Sequence, residues 1–384
     1  MSGGIPVARL FGIEIRLHFS WVFIIAIVTA TVGGQLTASL DPREPEAVLA
    51  WVIGAVASLV FMATVVAHEL AHALTERQFG IAVESISVHF IGSPAVVDQR
   101  AQTPKAEASI ALAGPLTSFA IGTSFVLLAL LTALSNFEPV SILGDVLVIV
   151  GTLNLVLAGV SLVPAYPLDG GRVVRAIGWA RTGDPRRGAT LAAMVGRGVS
   201  WLFVAAGLTV ILVVEFPDGT VDGIMLGIIA AFLSASSRSV ERWVVLDGLI
   251  AGVRVGEAME PELDTISPGL TLDTFGPQVL DGTLGPALPV LLSGELVGLV
   301  GAGQLKGVPR REWPQTRTSE VMVDLAKVPT IGPEESLTDG LERLRVSQLD
   351  GLPVLEGADL RGVLTKRSIA VALRARADIR GLTI

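Results

Sequence analysis

Long runs without a charged residue constrain the fold of this chain more than any other feature of its sequence. Four runs have the length of a membrane span and two shorter ones follow: Leu17–Leu40, Ala47–Ala67, Ala108–Phe137, Val146–Leu168, Gly198–Val214 and Gly223–Ser237. A transmembrane helix needs about 20 mostly apolar residues. Hydrophobic residues make up 51% of the 384 residues, and the mean hydropathy is +0.65. The composition predicts a polytopic α-helical membrane protein with about six transmembrane helices.

The charges of the connecting segments predict its orientation. Connections after the first, third and fifth runs are mainly acidic, whereas the N-terminus and the other connections are rich in arginine, including Arg77, Arg181 and Arg186. By the positive-inside rule, the N-terminus and everything after the sixth run face the cytoplasm. We therefore expect a multi-pass protein of the cytoplasmic membrane, in contact with the lipid bilayer. The net charge of −8 argues against a nucleic-acid partner, and the absence of cysteine excludes disulfides and thiolate ligands.

The chain changes character after Trp243. Short strand-like and helix-like segments with Gly and Pro between them indicate a small soluble α/β domain. It contains two similar stretches, each with a Leu-Pro-Val sequence, in PALPVLLSGELVGLV and in GLPVLEGADLRGVLT. The predicted organisation is a membrane domain of residues 1–243 and a cytoplasmic tandem domain of residues 244–384. The two repeats cover about 253–307 and 316–376.

The sequence VVAHELAHAL, at the end of the second run, places titratable groups beside lipid-facing residues. His68 and His72 are four residues apart, so on a helix both imidazoles lie on one face and can bind one metal ion. Glu69 lies beside them and can act as a general base. Packing between helices is the alternative for the two histidines. Ionisable groups at membrane depth are costly, however, and are by default functional.

A catalytic zinc site takes three protein ligands and keeps one position open for water. The candidates for the third ligand are His18, His89, Asp145 and Asp169. Asp169 is best placed, because Pro164 and Pro167 break the preceding helix and Gly170 and Gly171 allow unusual backbone geometry. Non-helical backbone at this depth is tolerated only where it is buried in protein or lines a water-filled cavity.

Three motifs in this order, HELAH, AGPLTS at 113–118 and NLVLAGVSLVPAYPLDGG, resemble the site-2 protease family of intramembrane zinc metalloproteases. The resemblance covers roughly residues 1–240. It implies that His68, His72 and Asp169 bind one Zn²⁺ per chain and that Glu69 activates the attacking water. It also implies cleavage of single-span membrane proteins, such as anti-sigma factors or remnant signal peptides, in regulated intramembrane proteolysis.

Two further regions are interpreted through this resemblance. Asn154 matches an asparagine of the family, whereas Ser161 stands where the family usually has a second one, eight residues before the metal-binding aspartate. Both are candidates for contact with the substrate or its oxyanion, and a serine hydroxyl can still donate one hydrogen bond. The segment SISVHFIGSPAVVDQR, 85–100, falls where the family has a strand thought to present an extended substrate. An ordinary connecting loop is the alternative.

The tandem domain resembles a pair of cystathionine-β-synthase (CBS) domains. Such pairs commonly bind adenine nucleotides and regulate the attached domain. Thr365 fits a nucleotide-binding repeat, but Ser368 replaces its usual ribose-binding aspartate, and Gly301 and Gln304 stand at the matching places of the first repeat. An adenine nucleotide is thus a weaker expectation than a dimerisation or docking module, with a homodimer as one outcome.

Two other functions are compatible with parts of the sequence. The first is a membrane transporter or channel gated by the CBS pair, because similar modules are attached to ion transporters. A pore has no need of a general base next to a metal ligand, so HELAH favours the protease. The second is a catalytically inactive, substrate-holding relative, which the replacement at Ser161 leaves open.

Overall fold

The computed structural model describes residues 4–37, 45–88, 101–132, 134, 137–214, 218–261, 264–347 and 349–379. The chain divides into two compact units, Met1–Val244 and Val245–Ile384. The first is built mainly from long apolar helices, and the second combines short helices with antiparallel strand pairs. Each unit has its own buried apolar clusters.

The first unit begins with a small three-stranded sheet. Its strands are β1 (Ile5–Leu10), β2 (Ile13–Leu17) and β3 (Ser85–Val88), in the order β1-β2-β3. β1 and β2 form an antiparallel hairpin, and β3 runs parallel to β2. Phe11 and Gly12 form the hairpin turn, both at positive φ. The start of the predicted substrate-presenting segment is therefore a strand, while its residues 89–100 lie outside the described residues.

Seven helices make up the rest of the first unit. They are α1 (Trp21–Thr37), α2 (Pro45–Gln78), α3 (Pro104–Thr132), α4 (Glu138–Ser161), α5 (Asp169–Thr182), α6 (Pro185–Val213) and α7 (Asp218–Ile250). Among the described residues, five helices are long and apolar enough to cross a membrane, namely α2, α3, α4, α6 and α7. The prediction of a polytopic helical membrane protein is confirmed.

The first of the six predicted spans differs from the expectation. The uncharged run Leu17–Leu40 gives α1, which has 17 residues in the described part of the chain. The start of the run is used elsewhere, because Leu17 ends β2 and the next three residues turn into the helix. At 1.5 Å per residue, these 17 described residues span about 25 Å, somewhat less than the ~30 Å hydrocarbon core.

The fourth apolar run is interrupted where the sequence predicts. α4 ends at Ser161, and residues 162–168 form a non-helical connection before α5 begins at Asp169. Tyr166 and Pro167 are joined by a cis peptide bond within this connection. The prediction for the two following glycines needs a correction: Gly170 and Gly171 lie inside α5 and neither has positive φ. What they contribute is the absence of a side chain, which lets the connection pack against the first turn of α5.

The second unit contains the predicted tandem repeat. Its elements are α8 (Val255–Ala258), α9 (Leu272–Leu280), β4 (Ala287–Leu292), β5 (Glu295–Gly301), α10 (Ala302–Lys306), α11 (Thr318–Val321), β6 (Val323–Asp324), α12 (Leu337–Ser347), β7 (Gly351–Glu356), β8 (Asp359–Thr365) and α13 (Lys366–Ile379), with short 3₁₀ turns at Arg310–Glu312 and Leu325–Lys327. The β4–β5 and β7–β8 hairpins have the same register irregularity, after Val290 and after Val354. This match supports the internal repeat.

Each repeat completes the other. β6, which leads into the second repeat, pairs with β5 of the first. Reciprocally, Glu260 after α8 exchanges backbone hydrogen bonds with Val363 in β8. Val255 and Ala258 of α8 belong to the apolar core of the second repeat, together with Leu352. The two repeats therefore share their cores and form one unit.

Candidate metal centre

The HELAH sequence lies within α2, a helix of 34 residues. Successive imidazoles at positions i and i+4 of a helix point to the same side, one turn apart. Both histidines are buried, and their Nε2 atoms lie 3.1 Å apart. Glu69 is partly exposed. The local sequence alone thus brings two of the three predicted ligands together.

α3 passes very close to this pair of histidines. A Cβ atom at Gly114 would lie 2.2 Å from Nε2 of His72 and 2.5 Å from Nε2 of His68, far inside van der Waals contact. Only glycine therefore fits at this position. Gly114 lies in the AGPLTS motif, so the structure gives this motif a physical role next to HELAH.

α3 also orients both imidazole rings. Nδ1–H of His72 donates a hydrogen bond to the carbonyl oxygen of Ile110 at 2.7 Å, and Nδ1 of His68 lies 2.9 Å from Oγ of Ser118. A proton held on Nδ1 leaves the Nε2 lone pair available to a metal. Ser118 and Ile110 are absent from the predicted site, although Ser118 ends the AGPLTS motif, because their role depends on a packing contact.

Asp169 reaches the histidines from the start of α5. Its Oδ2 atom lies 3.5 Å from Nε2 of both histidines. The connection of residues 162–168 folds back against the first turn of α5. A Cβ at Gly170 would lie 2.3 Å from the carbonyl oxygen of Leu162, and one at Gly171 would lie 2.8 Å from the backbone nitrogen of Tyr166. The two glycines therefore let the connection close and present Asp169 to the histidines.

The three donor atoms fit a zinc ion. With Zn–N and Zn–O bonds of about 2.0–2.1 Å, tetrahedral geometry separates the ligand atoms by about 3.3 Å. The observed separations are 3.1, 3.5 and 3.5 Å. Two nitrogen lone pairs and a carboxylate oxygen repel one another at this distance unless a proton or a metal cation lies between them. The group is therefore suited to hold one metal ion and to leave a fourth position open.

The other candidate ligands lie elsewhere. Among the described residues, only His68, His72 and Asp169 bring their donor atoms close enough together to bind one metal ion. His18 contacts Ser20, whose backbone N–H lies 3.3 Å from its Nδ1. Asp145 is exposed on α4, and His89 lies outside the described residues.

Asn154 and Ser161 are both buried on α4. The Nδ2 group of Asn154 donates to the carbonyl oxygen of Val150 in the same helix at 2.9 Å. Among the described residues, Oδ1 of Asn154 has no hydrogen-bond partner. Asn154 thus retains an acceptor and one N–H for further hydrogen bonds, whereas the role of Ser161 stays a prediction.

A zinc-type donor group with a neighbouring glutamate, held between apolar helices that can cross a membrane, defines the class as a membrane-embedded zinc metalloprotease. Comparison with known proteins agrees. A family model described as "Peptidase M50B-like" matches residues 46–167. Rip3 of Mycobacterium tuberculosis, which carries the name of a zinc metalloprotease, is 34% identical over 96% of this chain and 93% of its own length. The similarly named sll0528 protein of Synechocystis is 30% identical, over 98% and 97%.

This chain therefore belongs to the Peptidase M50B family, that of the site-2 proteases. It is a zinc metalloprotease with an attached CBS domain. The CBS family model matches residues 319–375. A solved structure of CBSX2 in complex with AMP is 22% identical and covers 34% of this chain and 99% of its own, with a TM-score of 0.28.

The predicted nucleotide-binding positions of the CBS unit are engaged in local contacts. Oγ of Ser368 accepts from the backbone N–H of Thr365, and the Thr365 hydroxyl oxygen accepts from the backbone N–H of Ser368, both at 3.0 Å. In the first repeat, Oε1 of Gln304 accepts from the backbone N–H of Gly301 at 3.0 Å. These contacts cap the first turns of α13 and α10.

A cavity of about 340 Å³ lies beside Ser368. It is lined by two carboxylates, those of Glu257 and Glu260, and by one cation, Arg367. The Thr365 hydroxyl donates to Oε1 of Glu260 at 3.2 Å. The volume of this cavity is at the lower end of the range for small-molecule sites.

We expect Gly114→Ala to lose zinc. The added methyl group would overlap both Nε2 atoms, so the histidines or α3 must move, and ligand geometry would be lost. Zinc affinity of the purified protein should fall at least about tenfold, the scale of losses seen when a ligand's orientation is disturbed. Equilibrium dialysis in zinc buffers measures this.

Gly159→Ala is the matched control. Gly159 lies in α4, and a Cβ there would contact nothing within 4 Å. The same substitution should leave zinc affinity unchanged and favour the helix by up to about 1 kcal/mol. Equal zinc affinity in the two variants would contradict the close approach of α3 to the histidines.

Proposed function

We propose that the protein is an endopeptidase that cleaves a membrane-spanning segment of a single-span membrane protein. The observation that carries this proposal is the convergence of His68, His72 and Asp169 next to Glu69. Both histidines and Glu69 lie on α2, a helix that can cross a membrane. When bound, zinc acts as a Lewis acid that polarises the peptide carbonyl and lowers the pKa of water. Residues 1–243 are proposed as the domain that does this.

Glu69 would act as the general base and then as the general acid. As the base, its carboxylate takes one proton from the attacking water as the water oxygen bonds to the scissile carbonyl carbon. As the acid, it gives that proton to the amine nitrogen as the C–N bond breaks. Asn154 would hydrogen-bond the substrate backbone or oxyanion through its remaining amide capacity. Ser161, about two turns further along α4, is proposed for the same region.

The substrate segment must be extended at the site, because a helical backbone is internally hydrogen-bonded and sterically shielded. The sheet supports this requirement, since β3 (Ser85–Val88) already holds the start of the proposed substrate-presenting segment in strand geometry. Strand addition would supply backbone hydrogen bonds to an unwound peptide. Anti-sigma factors and remnant signal peptides are the proposed classes of substrate.

We expect Glu69→Gln to retain zinc and to lose cleavage. Glu69 is outside the metal-ligand group, so zinc stoichiometry should match the wild type. Turnover should fall by about 10²- to 10⁴-fold, the usual contribution of a general base. The measurement is zinc content together with cleavage of a model single-span substrate in detergent.

Asp169→Ala provides the comparison, because it should lose both zinc affinity and cleavage. Full turnover by Glu69→Gln would exclude Glu69 as the base. Zinc binding without cleavage by the wild type would favour the inactive relative, and Ser161→Asn would then show whether the missing asparagine is the cause.

We propose that the N-terminus and the CBS unit face the cytoplasm. The arginine-rich connections support this orientation.

The chain has no cysteine, so single introduced cysteines report topology without background labelling. In intact bacterial cells, a membrane-impermeant maleimide should label Asp222→Cys and leave Glu295→Cys unlabelled until the cells are permeabilised. The reverse pattern would invert the orientation.

We propose that the CBS unit regulates the protease domain or mediates dimerisation. We also propose that adenine nucleotides bind only weakly in the cavity beside Ser368. The carboxylates of Glu257 and Glu260 in the cavity support weak binding because they repel phosphate. Homodimerisation stays a prediction.

Glu260→Gln should bind AMP more tightly than the wild type does. The variant removes one repelling charge, while the glutamine oxygen can still accept from Thr365. Removing one unit charge about 6 Å from a phosphate charge in water is worth roughly 0.7 kcal/mol, or about threefold in affinity. Calorimetric titration of the full-length protein measures this. The control is Glu312→Gln, because Glu312 does not line the cavity. Equal AMP affinity in Glu260→Gln and wild type would exclude this cavity as the AMP site.

A further inference from the structure

An ion cluster around a fully buried carboxylate lies one turn before the histidine-binding part of α3. Glu107 has 0% relative exposure, and its Oε1 atom lies 3.3 Å from Nε of Arg172 and 3.3 Å from Nη1 of Arg175. Arg175 is itself only 2% exposed. A buried carboxylate stays charged only when cations and hydrogen bonds compensate it. The cluster is therefore a fixed connection between α3 and α5.

Glu107 belongs to the same face of α3 that holds the histidines. The residues of this face are spaced by three or four positions, as one side of a helix requires: Glu107, Ile110, Gly114 and Ser118. All four are buried. Ile110 and Ser118 orient the two imidazoles, whereas Glu107 pairs with arginines of α5, the helix that carries the third ligand.

The position of α5 is not inherited from α4, because the connecting residues 162–168 are not helical. Asp169 is the first residue of α5, and Arg172 and Arg175 follow it on the next two turns. A contact at Arg172, three residues after Asp169, therefore fixes the turn from which the Asp169 carboxylate projects.

We propose that Glu107 is a positioning residue of the metal site. By holding Arg172 and Arg175 it fixes α5 against α3 and places Oδ2 of Asp169 opposite both Nε2 atoms. One helix, α3, then positions all three ligands. The proposal rests on the zinc site described under the proposed function. The alternative is a purely structural role, in which Glu107 only neutralises buried arginines.

A double-mutant cycle on zinc affinity separates the two roles. The full-length protein is purified in detergent, stripped of metal and dialysed against zinc buffers. If Glu107 acts through Asp169, Glu107→Gln should weaken zinc binding about 10- to 100-fold in the wild-type background. In the Asp169→Ala background, the same change should cost less than about twofold, because the group that Glu107 positions is gone.

Ser118→Ala is the matched control, because Ser118 contacts a histidine. It should weaken zinc binding by the same factor in both backgrounds. Arg172→Gln repeats the cycle from the other side of the ion pair. Because the Arg172 side chain is partly exposed, this substitution should destabilise the fold less than Glu107→Gln does. It carries the test if Glu107→Gln does not give a monodisperse protein.

The outcomes are distinct. A loss confined to the background that retains Asp169 supports the positioning role. An equal loss in both backgrounds, or no loss in either, overturns it while leaving the zinc site intact. A wild type that binds no zinc overturns the metal site itself, and the positioning role with it.

Discussion

Polar groups in a unit surrounded by lipid must find their partners within the protein, and this constraint governs the metal centre. The hydrocarbon core supplies no water to an unpaired imidazole or carboxylate. His68 and His72 accordingly each have their Nδ1 atom against an oxygen of α3. The carboxylate of Glu107 lies against two arginines, and that of Asp169 lies against the two histidines. The Nε2 atoms of both histidines and a carboxylate oxygen of Asp169 converge on one point, where a cation can compensate them.

The close packing of α2 against α3 follows from the same constraint. Hydrogen bonds from the imidazoles to α3 require the helices to approach until no side-chain atom fits at Gly114. Small residues at helix contacts are a general way to bring backbones together in membranes. Here the closeness also determines chemistry, because it aims two nitrogen lone pairs at one position. Packing and metal binding are therefore a single structural requirement.

The parts of this structure that depend on local sequence could be predicted, and those that depend on packing could not. His68 and His72 follow from helical periodicity, and the two repeats follow from recurring sequence. Asp169 could be proposed because prolines interrupt its helix. The roles of Ser118 and Glu107 arise from contacts across 50 and 65 or more positions of the chain, which no local pattern reveals. The start of α1 at Trp21, four residues into its uncharged run, likewise reflects the pairing of β2 with strands on both sides.

The order of the ligands along the chain has a consequence for biosynthesis. His72 and Asp169 are separated by 169 − 72 = 97 positions, which takes about 5 to 20 s to translate at 5–20 residues per second. During that interval both histidines have been synthesised, but the third ligand has not. The centre can therefore be completed only after α3, α4 and the start of α5 have been synthesised and packed. Until then, the chain that has been synthesised holds only two of the three metal ligands.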